Sequence, residues 1–403
     1  MCSFFFLGKL EMKIGSRYSA TFWRLCFGSF FFFLSFNLII PELPDYISSF
    51  GGEDYKGMII GLFALAAGIS RPFSGRLVDA AGRKPVMVIG ALVCVALGLA
   101  YPFVLNIMGF LLLRFVHGFS TGFNPTGSVA YLADIVPADR RGEAMGLLGM
   151  MNNLGFSVGP ALGSEVAHVM GVDLMFVTSA GFAVIALLLI MSLPETSKEV
   201  EKLSVRHLVV KKEDVYEPQV KFPAFIMFLT IFCFGTVLTL VPDHAKNLGL
   251  EKQGYFFTVL TFTSVIVRIW SGRISDRKGR RPVMIFGVIT LIIATFLLGA
   301  ANSVPMLFLS AAIYGLATGA NSPTLFAWAI DRAKEGKTGR AMATLFIALE
   351  LGIVAGSFIP ALVYDNQAAN LPFAFWIGTV MAVVALVALM LSQQAKDSYL
   401  KSF

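Results

Sequence analysis

Charge is what this chain has least of. Only 14% of its 403 residues are Asp, Glu, Lys or Arg, against about 25% in a typical soluble domain. Apolar residues make up 56% of the chain. One water-soluble core cannot grow to enclose that excess, so an ordinary solvated globule is excluded and lipid is the natural solvent. Cysteine is scarce as well: Cys2, Cys26, Cys94 and Cys233, none in a CxxC. That excludes a disulfide framework or a zinc site and leaves small core hydrophobes. The residues assemble no catalytic triad, phosphate loop or metal-ligand cluster, so neither an enzyme nor a bound cofactor is expected. The net charge of +7 would raise nucleic acid as a partner. Lys and Arg sit in short clusters between apolar runs, with no basic face, and none is expected. A cleavable leader is lacking too: the run Cys26–Ile40 leads into Pro41-Glu42-Leu43-Pro44 and not into a small-residue cleavage site.

What the chain has is apolar spans. About 20 residues at 1.5 Å each cross ~30 Å of hydrocarbon. Twelve segments are predicted to do so: 22–44, 57–78, 85–105, 107–133, 143–168, 172–193, 222–242, 253–275, 282–301, 304–330, 340–364 and 371–392. The breaks before Val172 and Val304 are the shortest. One long polar stretch, 194–221, divides a first half, 1–193, from a second, 222–403. The expected fold is therefore an all-α integral membrane protein of twelve transmembrane helices in two six-helix bundles.

Basic residues orient it. Of the 32 Lys and Arg, only Lys56, Lys246 and Lys252 lie in loops on one side; Arg71, Arg114 and Arg268 fall inside spans, and the other 26 lie on the side of the termini and linker. The positive-inside rule then predicts cytoplasmic termini in the cell (inner) membrane.

The halves repeat at an offset of 197. Residues 71–90, RPFSGRLVDAAGRKPVMVIG, match 268–287, RIWSGRISDRKGRRPVMIFG, at eleven of twenty positions. The same offset pairs Gly118 with Gly315, Asn124 with Asn321, Asp134 with Asp331, and Gly155 and Gly159 with Gly352 and Gly356. Parallel halves place a binding site between them near the midplane.

Several motifs resemble the major facilitator superfamily. Gly75-Arg-Leu-Val-Asp79-Ala-Ala-Gly82-Arg83-Lys84 is similar to its signature loop between the second and third helices, and Gly272–Arg281, with Asp276 and Arg280, is a copy. The resemblance implies a cytoplasmic gate. Arg140 and Arg141, in Asp139-Arg-Arg-Gly-Glu-Ala, are natural partners for Asp79 or Asp134. A tight turn carrying a topology signal is the plainer reading. Arg114-Phe-Val-His117-Gly118 resembles the fourth-helix motif linked in the family to proton coupling. Arg114 lies ~10 Å inside the boundary; either it is functional or it reaches the headgroups. Gly146, then Gly155, Gly159-Pro160 and Gly163-Ser164, looks like the fifth-helix antiporter signature, with Ser for its last Gly. Small-residue helix packing alone would also explain it. Asn37-Leu-Ile-Ile-Pro41 resembles the start of twelve-helix drug:proton antiporters.

A proton carrier must be ionisable and buried in one state. Glu350, ~15 Å deep in the eleventh helix, is the first choice, since burial there favours a neutral acid; a neutral Glu bonded to another helix is the alternative. Glu42, with Asp45, comes second, at a depth Arg114 could share; His117 titrates near neutrality when unperturbed, although a lone helical His is more often structural. Arg71 and Arg268, being symmetric copies, read as structural anchors. Asn37, Asn124, Asn153 and Asn321 are candidates to line a substrate cavity; for Asn37 a bond to a neighbouring helix is the alternative. The resemblance implies a monomer that exports a small organic molecule, drug-like or metabolite, in exchange for protons. The alternative is a symporter or facilitator taking up a sugar or other metabolite. The loops between spans are too short for a signalling domain, which argues against a sensor.

Overall fold

A computed structural model describes residues 18–137, 141–197, 216–333 and 338–392. Within them the chain forms twelve long helices: α1 Ala20–Leu38, α2 Lys56–Ala81, α3 Arg83–Ala100, α4 Ile107–Ile135, α5 Arg141–Met170, α6 Val172–Met191, α7 Lys221–Asn247, α8 Gly254–Lys278, α9 Arg280–Ala300, α10 Val304–Arg332, α11 Thr338–Tyr364 and α12 Leu371–Leu391. A short helix, Leu43–Ser48, continues α1 past a turn at Ile40–Glu42, where Pro41 and Pro44 withhold the donors a continuous helix needs. No strand occurs among the described residues.

The predicted spans each meet one helix, and the tight breaks have local causes. Gly171 turns α5 into α6 at φ +89°, while Gly82 and Gly279 turn α2 into α3 and α8 into α9 at φ +100° and +84°. Side chains rarely adopt that region, so the repeated motif needs its glycine at the corner. Asn106 starts α4 by accepting from the Gly109 amide at 2.8 Å, an N-cap that satisfies an otherwise free donor. Among the described residues, nine helices are long and apolar enough to cross a membrane, and α8 joins them as a bent span. The helices outside those nine are α4, α5 and α8. Their polar residues turn inward to protein, where lipid does not meet them.

The two halves pack alike. In the first, α1 lies on α5 and α6, and α4 on α2 and α3; in the second, α7 lies on α11 and α12, and α10 on α8 and α9. Glycines set these contacts. A Cβ on Gly118 would collide with the Phe63 carbonyl, and one on its repeat partner Gly315 with the Leu260 carbonyl. The halves meet along two seams, α2 on α11 and α5 on α8. Apolar side chains point outward around the bundle, with Leu105, Leu362 and Leu391 more than three-quarters exposed. That surface is costly in water and neutral in lipid.

Candidate functional site

The α2–α11 seam contains an ion pair in the span region. Arg71 donates to Glu350 Oε1 from Nη2 at 2.8 Å and from Nε at 3.1 Å. Its guanidinium carbon also stands 4.2 Å from the centre of the Phe346 ring. Gly68, one turn from Arg71, lets α11 approach: a Cβ there would lie 3.2 Å from Glu350 Cβ. Arg71 is therefore no passive anchor; it is the partner of Glu350 across the halves. Their depths could have revealed this. Arg71 lies ten residues from the end of α2 and Glu350 twelve from the start of α11, about 15 and 18 Å from the same side at 1.5 Å per residue.

Arg114 is buried, not snorkelled, at 1% exposure. Its Nε donates to the Ile59 carbonyl at 3.0 Å, Nη1 reaches Tyr101 Oη at 3.4 Å, and the Phe63 ring lies beneath it. Tyr101 Oη also meets His117 Nδ1 at 3.2 Å, and His117 Nε2 has no partner. Glu42 does not share this cluster. It accepts from Ser164 Oγ at 2.6 Å, and Ser164 Oγ in turn accepts from the Gly254 amide of the other half at 3.1 Å. The serine that replaces the last glycine of the antiporter signature thus joins α1, α5 and α8.

The signature glycines themselves face α1. Cβ atoms on Gly155 and Gly159 would come within 2.5 and 3.0 Å of the Phe30 and Leu34 carbonyls, and one on Gly163 would collide with Leu38. Pro160 lies inside α5 at the point where α8 begins, and its carbonyl abuts Gly254.

The four asparagines divide. Asn124 donates to the Met87 carbonyl of α3 at 3.1 Å and packs on Gly90, so it ties α4 to α3 and does not face the centre. Asn321 packs on Gly287 of α9 in the same way, its Oδ1 without a partner. These two are corrected from cavity candidates to helix contacts. Asn37 is fully buried, donating to Phe33 with Oδ1 unpaired. Asn153 is half-buried and donates to the Gly149 carbonyl at 2.7 Å.

At the linker end, Asp134 has a partner on the neighbouring helix. Arg83 pairs with it at 3.0 Å, and Arg280 pairs with Asp331 at 2.8 Å and with Asp276. Each pair stays within one half. Glu195, which the sequence reading passed over, accepts from the Arg83 and Lys84 amides at 3.0 Å each, capping α3 with a carboxylate where the helix dipole favours one. Arg140 lies outside the described residues, as do the side chains of Asp79 and Arg141. Gly75 faces open space.

At the opposite end every lysine of the minority side bridges the halves. Lys56 meets Asp243 at 2.7 Å, Lys246 meets Asp45 at 2.8 Å, and Lys252 meets Glu165 at 2.6 Å. The hydrogen bond to Glu165 raises the Lys252 ammonium above its ordinary range. Thr258 adds a bond to the Ser157 carbonyl at 3.2 Å. From Arg71–Glu350 onward to the linker end, no hydrogen bond or ion pair joins the halves among the described residues.

The family model described as Major Facilitator Superfamily matches residues 25–277 and 223–402. The chain belongs to this superfamily. Superfamily members act on small-molecule substrates in the membrane, so this is a multi-pass membrane transporter and not an enzyme. It is 27% identical over 351 residues to the multi-drug resistance efflux pump PmrA of Streptococcus pneumoniae, covering 82% of this chain and 86% of that one. It is 26% identical over 347 residues to the PmrA homolog of Lactococcus lactis, covering 82% and 85%. Among solved structures, the D-xylose-proton symporter superposes with a TM-score of 0.74 at 18% identity, over 91% of this chain and 96% of that chain. That superfamily likeness is one of fold.

Proposed function

We propose that the protein is a proton-coupled exporter of a small organic molecule, working as a monomer by alternating exposure of the space between its halves. The observation that carries this is the Arg71–Glu350 pair, bonded across the halves at 2.8 Å. The basic side is taken as cytoplasmic, with the linker 194–221 and both termini there. The bonded end then faces outward, and the molecule is closed outside and open inside.

In this state an ionised Glu350 fastens α2 to α11. A proton on Glu350 removes the charge that Arg71 binds and leaves only a weaker neutral hydrogen bond, so proton binding and firm fastening of the halves compete. Empty protein stays fastened. Either a substrate that competes for the pair or a proton on Glu350 releases it, and the halves rock. Substrate leaves outside, Glu350 takes a proton there, and the return delivers that proton inside. Exchange follows because the molecule moves only when one or the other is aboard. Arg114, Tyr101 and His117 form a rigid polar cluster that holds α2, α3 and α4 in register during the motion. The gate pairs Arg83–Asp134 and Arg280–Asp331 keep each half intact while its linker end closes. Export, as opposed to uptake, is supported by the fifth-helix signature and by relatives named as multi-drug efflux pumps. The uptake alternative has support in a proton symporter of the same fold.

Sealed vesicles containing purified protein decide between them. A pH step, acidic outside, should drive a loaded fluorescent probe, cationic ethidium or anionic 8-anilinonaphthalene-1-sulfonate, outward against the proton flux, and Glu350→Gln should abolish gradient-driven movement. Movement of substrate with the protons, or full gradient-driven transport by E350Q, would overturn the assignment.

A further inference from the structure

The two seams between the halves are related by the internal repeat, but only one is electrically balanced. At the bonded end, Gly57 of α2 packs on the Ser357 carbonyl and Ala361 of α11, and its repeat partner Gly254 of α8 packs on the Pro160 carbonyl and Ala161 of α5. The offset of 197 therefore carries one seam onto the other. Further along, Arg71 corresponds to Arg268, Glu350 to Asn153 and Phe346 to Gly149. On the first seam the guanidinium has a carboxylate at 2.8 Å and a ring at 4.2 Å. On the second it has neither. Its counterpart of the carboxylate is a neutral amide already engaged with Gly149. Its counterpart of the ring is a glycine with nothing within 4 Å of a Cβ. Arg268 Nε is buried with no hydrogen-bond partner, and no described acidic side chain forms a salt bridge with it.

We propose that Arg268, with the empty space beside Gly149 and Asn153, is a subsite for the anionic head of the substrate, a carboxylate or sulfonate. A half-buried guanidinium whose inner nitrogen has no partner is costly, and its fork of donors fits a planar or tetrahedral oxyanion. A ligand anion would take the place that Glu350 occupies on the other seam. The vacant ring position beside it accommodates a flat apolar body, with Asn153 as a neutral hydrogen-bonding group at its edge. The assignment rests on the reading of the space between the halves as the transport path. It also bears on energetics: one monoanion leaving against one proton entering moves two charge equivalents inward per cycle, so the membrane potential assists.

Equilibrium dialysis of detergent-purified full-length protein with radiolabelled 2-naphthalenesulfonate tests it. Neutral 2-naphthalenesulfonamide is the control. The wild type should bind the sulfonate saturably and at least tenfold more tightly than the sulfonamide. Arg268→Gln should lose that preference, and Arg268→Lys should recover part of it. Asn153→Glu leaves Arg268 in place and supplies it with an internal carboxylate, so it should weaken sulfonate binding at least tenfold while sparing the sulfonamide. Thermal unfolding checks that each variant is folded. Equal binding of the two probes by the wild type, no binding of the sulfonate, or wild-type sulfonate affinity in folded N153E would overturn the subsite. The measurement uses no gradient, so loss of proton coupling or a reversed direction in vesicles leaves its outcome intact.

Discussion

Arg71 and Glu350 carry most of the argument, and their energetics can be checked apart from transport. Both side chains are at most 15% exposed. Removing one partner of such a pair strands the other charge, at a cost of about 3–5 kcal/mol. Arg71→Ala should therefore lower the midpoint of thermal unfolding in detergent markedly, and E350Q less, because Gln keeps a hydrogen-bonding group beside Arg71. The double variant should be more stable than R71A alone. Additive losses in that cycle would mean that the two residues do not act as a pair. Half of this site was legible in the sequence. Glu350 stood out as an acid deep in an apolar span, facing Asn153 in the repeat. Arg71 did not, because the repeat gave it a twin and a twin reads as scaffold. Asymmetry is visible along the chain; the seam that brings residues 71 and 350 together is not. The asparagines failed for a related reason: helix spacing alone does not say whether a polar side chain on a buried helix meets a cavity or the next helix.

The fifth helix packs within one half and touches the other at once. Gly155, Gly159 and Gly163 bring α5 against α1, and Ser164 and Pro160 on the same helix touch the start of α8 in the other half. The two contributions separate by substitution. Gly163→Leu forces a side chain into the Leu38 backbone, an overpacking strain of about 1–3 kcal/mol or more, and should reduce folded yield on size exclusion. Ser164→Gly removes one hydroxyl, restores the residue of the signature, and leaves α1 packing unchanged. It should preserve folded yield while removing the hydroxyl that bonds both Glu42 and the Gly254 amide, and so change the balance between open and closed states. A Ser164→Gly protein that unfolds like Gly163→Leu would count against the gating role. The helices were well marked in the sequence, since twenty-residue apolar runs are hard to hide and glycine marks the sharp corners. Hydropathy served worst for α4, α5 and α8, the helices whose polar residues are spent on the interior.

At the scale of the molecule, the three lysines of the minority side do more than satisfy the positive-inside rule. Each spans the halves, and together with Ser164–Gly254 they close the end remote from the linker. Lys246–Asp45 and Lys252–Glu165 are solvent-exposed pairs, and water screens such pairs so that each holds weakly. Lys56–Asp243, at 12% and 7% side-chain exposure, is better shielded. Weak links suit a gate that must open. Lys252 is held above its ordinary range by Glu165 and Glu165 below its own, so their share of closure is complete between the ordinary carboxylate range and pH ~10 and fades as pH rises or falls through the shifted values. Salt, in contrast, weakens it at neutral pH. The expected consequence of Lys56→Gln/Lys246→Gln/Lys252→Gln is a growth of the outward-open population at the expense of the closed one. Spin labels at exposed Ser49 and Asn247 would read it, and buried Cys26, Cys94 and Cys233 should not label. Pulsed electron spin resonance should give a single short distance for the parent and a second, longer one for the triple variant, growing further with salt. An unaltered distribution would show that apolar contacts along the seams, and not these charges, set which end is closed.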